Sequence, residues 1–265
     1  MVNDRTSVTR TPNLSGHSAI ILGSVAALTI LAWAYLIHLD RSAAMADGIM
    51  MAEMGMSGHA PWTMADAWFT FGMWTVMMFG TMAPSAAPVL LIAARARVSP
   101  RPAGTRWMPL FFGAGYMLVW VGFSAIAALV QWALHDAALL SPAMSAASPR
   151  VGGAILIGAG LYQLTPLKHA CLAHCQRPLD FLMAHWRTGL AGALRMGAHH
   201  GVHCLGCCWA LMAVLFVVGV MNLTWVAALA VFVLIEKIAP AAAFVARIAG
   251  VVMIVAGLLR IVLNA

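Results

Sequence analysis

Charge is what this chain has least of. Asp, Glu, Lys and Arg make up 9% of its 265 residues while 63% are apolar, against about 25% and about 45–50% in an ordinary soluble domain. That scarcity excludes a water-soluble globular fold. Uncharged stretches run from Ala67 to Ala94, Trp107 to Leu134 and Leu205 to Ile235, each longer than the roughly 18 apolar residues that signal a membrane-spanning helix. Catalytic signatures are missing as well. There is no P-loop, nucleophile elbow, HExxH or pair of neighbouring carboxylates, so neither an ATP-driven pump nor a hydrolase is supported and no enzyme is expected. The 15 Lys and Arg against 8 Asp and Glu stand singly beside apolar runs and never form the aromatic-interleaved stripe that nucleic acid requires. No internal repeat is present, and the Pro/Ser/Arg stretch at 98–106 is the one low-complexity linker.

What is there reads as an all-α fold, a polytopic transmembrane helical bundle with six or seven spans. Lys and Arg in short loops stay on the cytoplasmic side. Arg5 and Arg10 place the tail at 1–17 inside, as do Arg95, Arg97, Arg101 and Arg106 for the 95–106 loop, and Lys168, Arg177, Arg187 and Arg195 for the 166–200 stretch. The 38–66 and 135–150 loops fall outside. Residues 18–265 then form a single transmembrane domain, with a Met-rich external loop at 39–65 and a Cys/His-rich cytoplasmic-side segment at 166–208. The first span, expected at 18–38, lacks a cleavage site directly after its apolar run and reads as a retained signal anchor. Further spans are expected near 67–92, 107–134 and 151–165. At 1.5 Å per residue the Leu205–Ile235 stretch would be a rod of roughly 46 Å, too long for a ~30 Å hydrocarbon core, so a hairpin at Asn222 fits better than one bent helix. The hairpin gives seven spans and an outside C-terminus; the bent helix gives six.

All five cysteines fall between 171 and 208, in a window flanked by basic residues, where a disulfide framework is not expected. Cys171 and Cys175 are four apart on a helix beginning at Pro166, with His174 on the same side. Cys204, Cys207 and Cys208 stand at i, i+3 and i+4, and His200 and Met212 extend the stripe one turn each way. His203 stands beside this second cluster. Two helices bearing thiolates and imidazoles can converge on one ion. Cysteine also packs as a small buried hydrophobe, but five in this window, among His169, His174, His185, His199, His200 and His203, favour metal binding. A redox CxxC would need a βαβ context that the chain lacks.

Methionine points to which metal. Thioether sulfur is a soft donor suited to Cu(I) and a poor competitor for zinc or harder ions. The outside loop holds Met45, Met50, Met51, Met54, Met56 and Met64 with His59, and the next span adds Met73, Met77, Met78 and Met82, which make two i, i+4 pairs. Packing filler is the competing reading for these helix methionines. Softness increases inward, from a Met/His collector outside, through thioethers in the bilayer, to a thiolate site near the cytoplasmic face. Glu236-Lys237 is an ionisable pair in an apolar setting; it reads as a membrane boundary, with neutralisation of a bound cation by Glu236 as the alternative.

Several blocks carry a resemblance. Trp74-Thr-Val-Met-Met with Met82 and Pro84, Gly160-Leu-Tyr-Gln-Leu-Thr-Pro-Leu-Lys168 leading into Cys171 and Cys175, Gly201-x-x-Cys-x-Gly-Cys-Cys-Trp209 with Met212, and Glu236-Lys237 resemble the DUF2182 family over roughly residues 66–263. These are bacterial integral membrane proteins described as metal-binding and as copper chaperones. The resemblance implies metal binding in a bacterial inner membrane. Three functions follow as expectations: a Cu(I)-binding membrane chaperone that passes metal to a partner cuproprotein or takes it from a periplasmic copper carrier, a copper permease, or a non-transporting thiol redox sensor or structural zinc protein.

Overall fold

The computed structural model describes residues 14–54, 62–95, 107–140, 146, 148–239 and 241–263. Ten helices follow one another: α1 Leu14–Met54, α2 Met64–Arg95, α3 Met108–Asp136, α4 Pro149–Gln163, α5 Pro166–Gln176, α6 Pro178–His185, α7 Gly189–Ala213, α8 Leu215–Val218, α9 Leu223–Ile238 and α10 Ala242–Leu263. Among the described residues there is no strand, only an isolated bridge between Leu140 and Ala146. The all-α expectation stands.

Among the described residues five helical stretches are long and apolar enough to cross a membrane: Ser18–Ser42, Met64–Ala94, Met108–Asp136, Gly189–Val218 and Ala242–Leu263. Their outward faces are oily, with Ile30 in α1, Ile126 in α3 and Val262 in α10 each more than 60% exposed. Such a surface suits acyl chains and not water. The 15-residue α4 and 16-residue α9 reach only about 22–24 Å at 1.5 Å per residue, less than a ~30 Å core.

The long 205–263 tract does turn back at Asn222. Gly219 takes φ 98°, which favours glycine, and the Asn222 side chain caps α9 by accepting from the Trp225 N–H. The segment at 39–65 differs from the expected loop, because α1 continues as helix to Met54. Ala and Met are good helix formers, and Gly48 is the single glycine in its last turns. Met56 and His59 lie outside the described residues.

Close backbone approaches fix the bundle. A Cβ at Gly197 would fall on the Phe112 carbonyl, and one at Gly115 on the Leu194 carbonyl, so glycine lets α3 and α7 meet main chain to main chain. Pro84 sits inside α2 and withholds the N–H that would have bonded the Gly80 carbonyl. That carbonyl accepts instead from the Trp33 indole of α1 at 3.3 Å.

Candidate metal centre

The sulfur cluster forms on the inward stripe of α7, whose other face carries the exposed Val202 and Trp209. Cys204, Cys207 and Cys208 are each no more than 2% exposed. Helical spacing puts their side chains on one stripe, and that stripe meets α3 through Tyr116, α5 through Cys175 and α9 through Lys237. The Cys207 and Cys208 thiols donate to the Cys204 carbonyl at 3.0 and 2.9 Å. The Cys204 sulfur has a different environment. Lys237 Nζ donates to it at 2.9 Å, and the Tyr116 hydroxyl lies at 2.9 Å. Ser85, which accepts from Lys237 at 2.8 Å, passes its own proton to the Met82 carbonyl at 2.8 Å. The Tyr116 hydroxyl also donates to the Met82 carbonyl at 3.2 Å. Cys204 thus accepts from a buried ammonium, a contact that favours its thiolate form.

Helix α5 brings the second pair of thiols. Thr165 caps it by accepting from the Lys168 N–H at 3.3 Å, and Pro166 occupies its first turn, as the sequence predicts. Cys175 comes within hydrogen-bonding reach of the Cys204 and Cys207 sulfurs. Cys171 sits one turn away, so close to α7 that a Cβ at Gly206 would collide with its sulfur. The Tyr162 hydroxyl donates to the Gly206 carbonyl and holds this contact. The expected convergence of two cysteine-bearing helices is thus present. Cys204 lies near the middle of the 30-residue Gly189–Val218 stretch, about 22 Å from either end at 1.5 Å per residue, and α5 and α6 fold back along α7 beside it.

The histidines divide. His200 is 3% exposed, its Nδ1 has no hydrogen-bond partner, and its ring lies 5.8 Å from that of Tyr116. A buried imidazole nitrogen without a partner is costly, and a metal ion would satisfy it. His174 and His203 face each other with ring centroids 4.2 Å apart. Each bonds a backbone carbonyl one turn back through Nδ1, at 2.9 Å in both cases, which leaves Nε2 available as a ligand. His185 and His199, centroids 4.6 Å apart, continue this row toward α6; the sequence spacing alone gave no sign of it.

Met73, Met77, Met78 and Met82 are all buried, at 5%, 1%, 0% and 0% exposure, and belong to the same packed core as Cys204, Cys207, Cys208 and Met212. Helix α2 therefore turns its thioethers inward and not toward lipid.

Two expectations about charge are corrected. Glu236 and Lys237 are 1% and 9% exposed, so in the last turn of α9 they are packed inside the bundle and are not solvated charges. Lys168, counted with the loop charges, is fully buried and contacts both Glu236 carboxylate oxygens at 2.7 Å. Gln163 completes this group, accepting from Lys168 and donating to Glu236 at 3.1 Å. Glu236 is thus neutralised by Lys168 and does not face the sulfurs, while the adjacent Lys237 does. Tyr116, Ser85 and Lys237 are the site residues that sequence spacing missed; a lysine in an apolar run was the available signal.

Among the described residues no three His, Cys, Asp or Glu side chains form a ready-made metal cage. Cys207 and Cys208, turned to a backbone carbonyl, must rotate before their sulfurs can bind. The donor set is nonetheless soft, dense and shielded from water, which matches a soft monovalent ion better than a hard one. No curated protein and no solved structure matches this chain. Over residues 71–260, which run from α2 to the last turn of α10 and take in every residue of this cluster, the chain belongs to the PpoB2 family, described as copper chaperone.

Proposed function

We propose that this chain is a multi-pass protein of a bacterial inner membrane that holds Cu(I) at the Cys175–Cys204–Cys207–Cys208 cluster and releases it to a partner cuproprotein. The N-terminus is cytoplasmic and the hairpin at Asn222 makes seven passes, α4 and α9 included. It binds and transfers, without catalysing a reaction. The observation that carries the reading is the buried Cys204 sulfur with the Lys237 ammonium and the Tyr116 hydroxyl each at 2.9 Å, an arrangement that suits a thiolate balanced by a cation inside an apolar bundle. Such a group costs free energy to keep and is functional by default. Cu(I) approaches along Met73, Met77, Met78 and Met82, with His200, His174, His203 and Cys171 around the cluster as further ligands for loading and release.

The test is anaerobic purification with metal analysis and X-ray absorption. Wild type should hold copper in a sulfur-dominated shell. Cys204→Ser, Cys207→Ser and Cys208→Ser should each remove most of it with folding retained. Unchanged copper in the triple variant would end this reading, and zinc held by several cysteines would favour a structural site. The continuous buried methionines of α2 also suit a permease, which proteoliposome flux of copper would reveal. A reporter-fusion map should place 40–65 outside and 95–106 inside, and the reverse result would invert the direction of flow.

A further inference from the structure

We infer that the chain carries a second soft-metal site at the other end of the methionine row, formed by the thioethers of Met73, Met77 and Met221 with the Asp40 carboxylate at its rim. A small cavity of about 10 Å³ lies between α1, α2 and the α8–α9 turn, lined by these four residues together with apolar neighbours such as Leu36 and Val220. That space is about one water-sized sphere, the size of a single bound ion. Three elements of the fold meet there. Met73 and Met77 lie one turn apart on the buried face of α2, Met221 comes from the turn that Gly219 and Asn222 create, and Asp40 comes from α1.

Two physical points favour a site over packing. Methionine is the adaptable side chain that fills irregular gaps, and interiors carry few voids of this size, yet here three methionines border one. The donors are also matched in kind. Neutral thioethers select a soft monovalent cation, and the exposed carboxylate at the rim raises the local concentration of any cation. Thioethers bind such an ion more weakly than thiolates, so an ion caught here moves downhill toward Cys204. That direction rests on the copper reading above; the site itself does not.

The test is titration of the full chain in detergent with Ag(I), a soft monovalent probe, in a variant with all five cysteines changed to serine. One equivalent should remain, bound more weakly than in wild type. Met221→Leu combined with Met73→Leu should weaken it at least tenfold, and Asp40→Asn should slow association without abolishing binding. If the five-serine variant fails to fold, wild type decides the matter, since a second, weaker equivalent should vanish on Met221→Leu while the tight one persists. No residual Ag(I), or residual Ag(I) indifferent to the Leu changes, would overturn the inference. Binding at the methionines with none at the cysteines would refute the copper reading and leave this site standing.

Discussion

Glu236→Gln separates a structural carboxylate from a cargo ligand. The change leaves the Lys168 ammonium buried without its anion, although both oxygens now contact Nζ at 2.7 Å and the two side chains are 0% and 2% exposed. Gln176 bonds the backbone carbonyl of residue 236 at 2.8 Å, so that contact survives the substitution. Breaking a buried pair from one side costs about 3–5 kcal/mol. At about 2–4 °C per kcal/mol for a chain of this size, the melting temperature in detergent should fall by about 6–20 °C. The double variant Lys168→Met/Glu236→Leu should recover most of the loss, because an apolar pair of similar volume is often as stable as a buried ion pair. Copper per chain, measured on the folded fraction, should stay at the wild-type value in both variants. A Glu236→Gln protein with unchanged stability and lost copper would refute the assignment and put Glu236 in the metal site.

Leu matches Met in volume at a cost usually under about 1.5 kcal/mol, so Met77→Leu/Met78→Leu/Met82→Leu should slow copper loading from outside in proteoliposomes while leaving equilibrium affinity in detergent nearly unchanged; wild-type loading would return these methionines to a packing role. Tyr116→Phe removes the hydroxyl that lies 2.9 Å from the Cys204 sulfur; with Cys204 as the proposed thiolate that contact is a hydrogen bond to a charged group worth about 1.5–3 kcal/mol, and competition titration should show copper affinity reduced by one to two orders of magnitude. Gly197→Ala drives a methyl group into the Phe112 carbonyl and should destabilise the α3–α7 contact by at least about 1–3 kcal/mol, visible as a lower melting temperature; an unchanged value would mean that the two helices are not in backbone contact. Acidification should release bound copper, because thiolate ligands compete with protons, and retention that is flat between neutral and acidic pH would argue against cysteine ligation.

Apolar length made the long helices legible, the α5 start at Pro166 was readable from the sequence, and the excess length of the Leu205–Ile235 run placed the turn at Asn222. The end of α1 was not legible, because an acidic, Met-rich segment carries no apolar stripe even when it is helical. Within the site, the i, i+3, i+4 spacing of Cys204, Cys207 and Cys208 gave their common face directly. Their partners were hidden because they come from elsewhere in the chain. Lys237 and Tyr116 lie 33 and 88 residues from Cys204, and nothing local distinguishes a lysine that seeks a sulfur from one that seeks the aqueous boundary. Lys168 was misread for the same reason. The loop rule counts basic residues without knowing that a carboxylate 68 positions later has come to meet one of them.

Among the described residues the buried lysines each meet an acidic partner, Lys168 with Glu236 and Lys237 with the Cys204 sulfur, so with Cys204 as the thiolate proposed above the site is electrically neutral before any cargo arrives. A monovalent ion seated beside Cys204 would upset that balance by one unit unless something leaves. Cys207 and Cys208 supply the exit: whichever thiol turns from its carbonyl to the ion gives up one proton. Loading is then an exchange of one cation for another at the same depth. Moving a bare elementary charge through the membrane field is worth about 2.3 kcal/mol per 100 mV, and a one-for-one exchange avoids that cost. On the copper reading proposed above, such loading would depend little on membrane voltage and would respond to pH on the side to which the proton leaves.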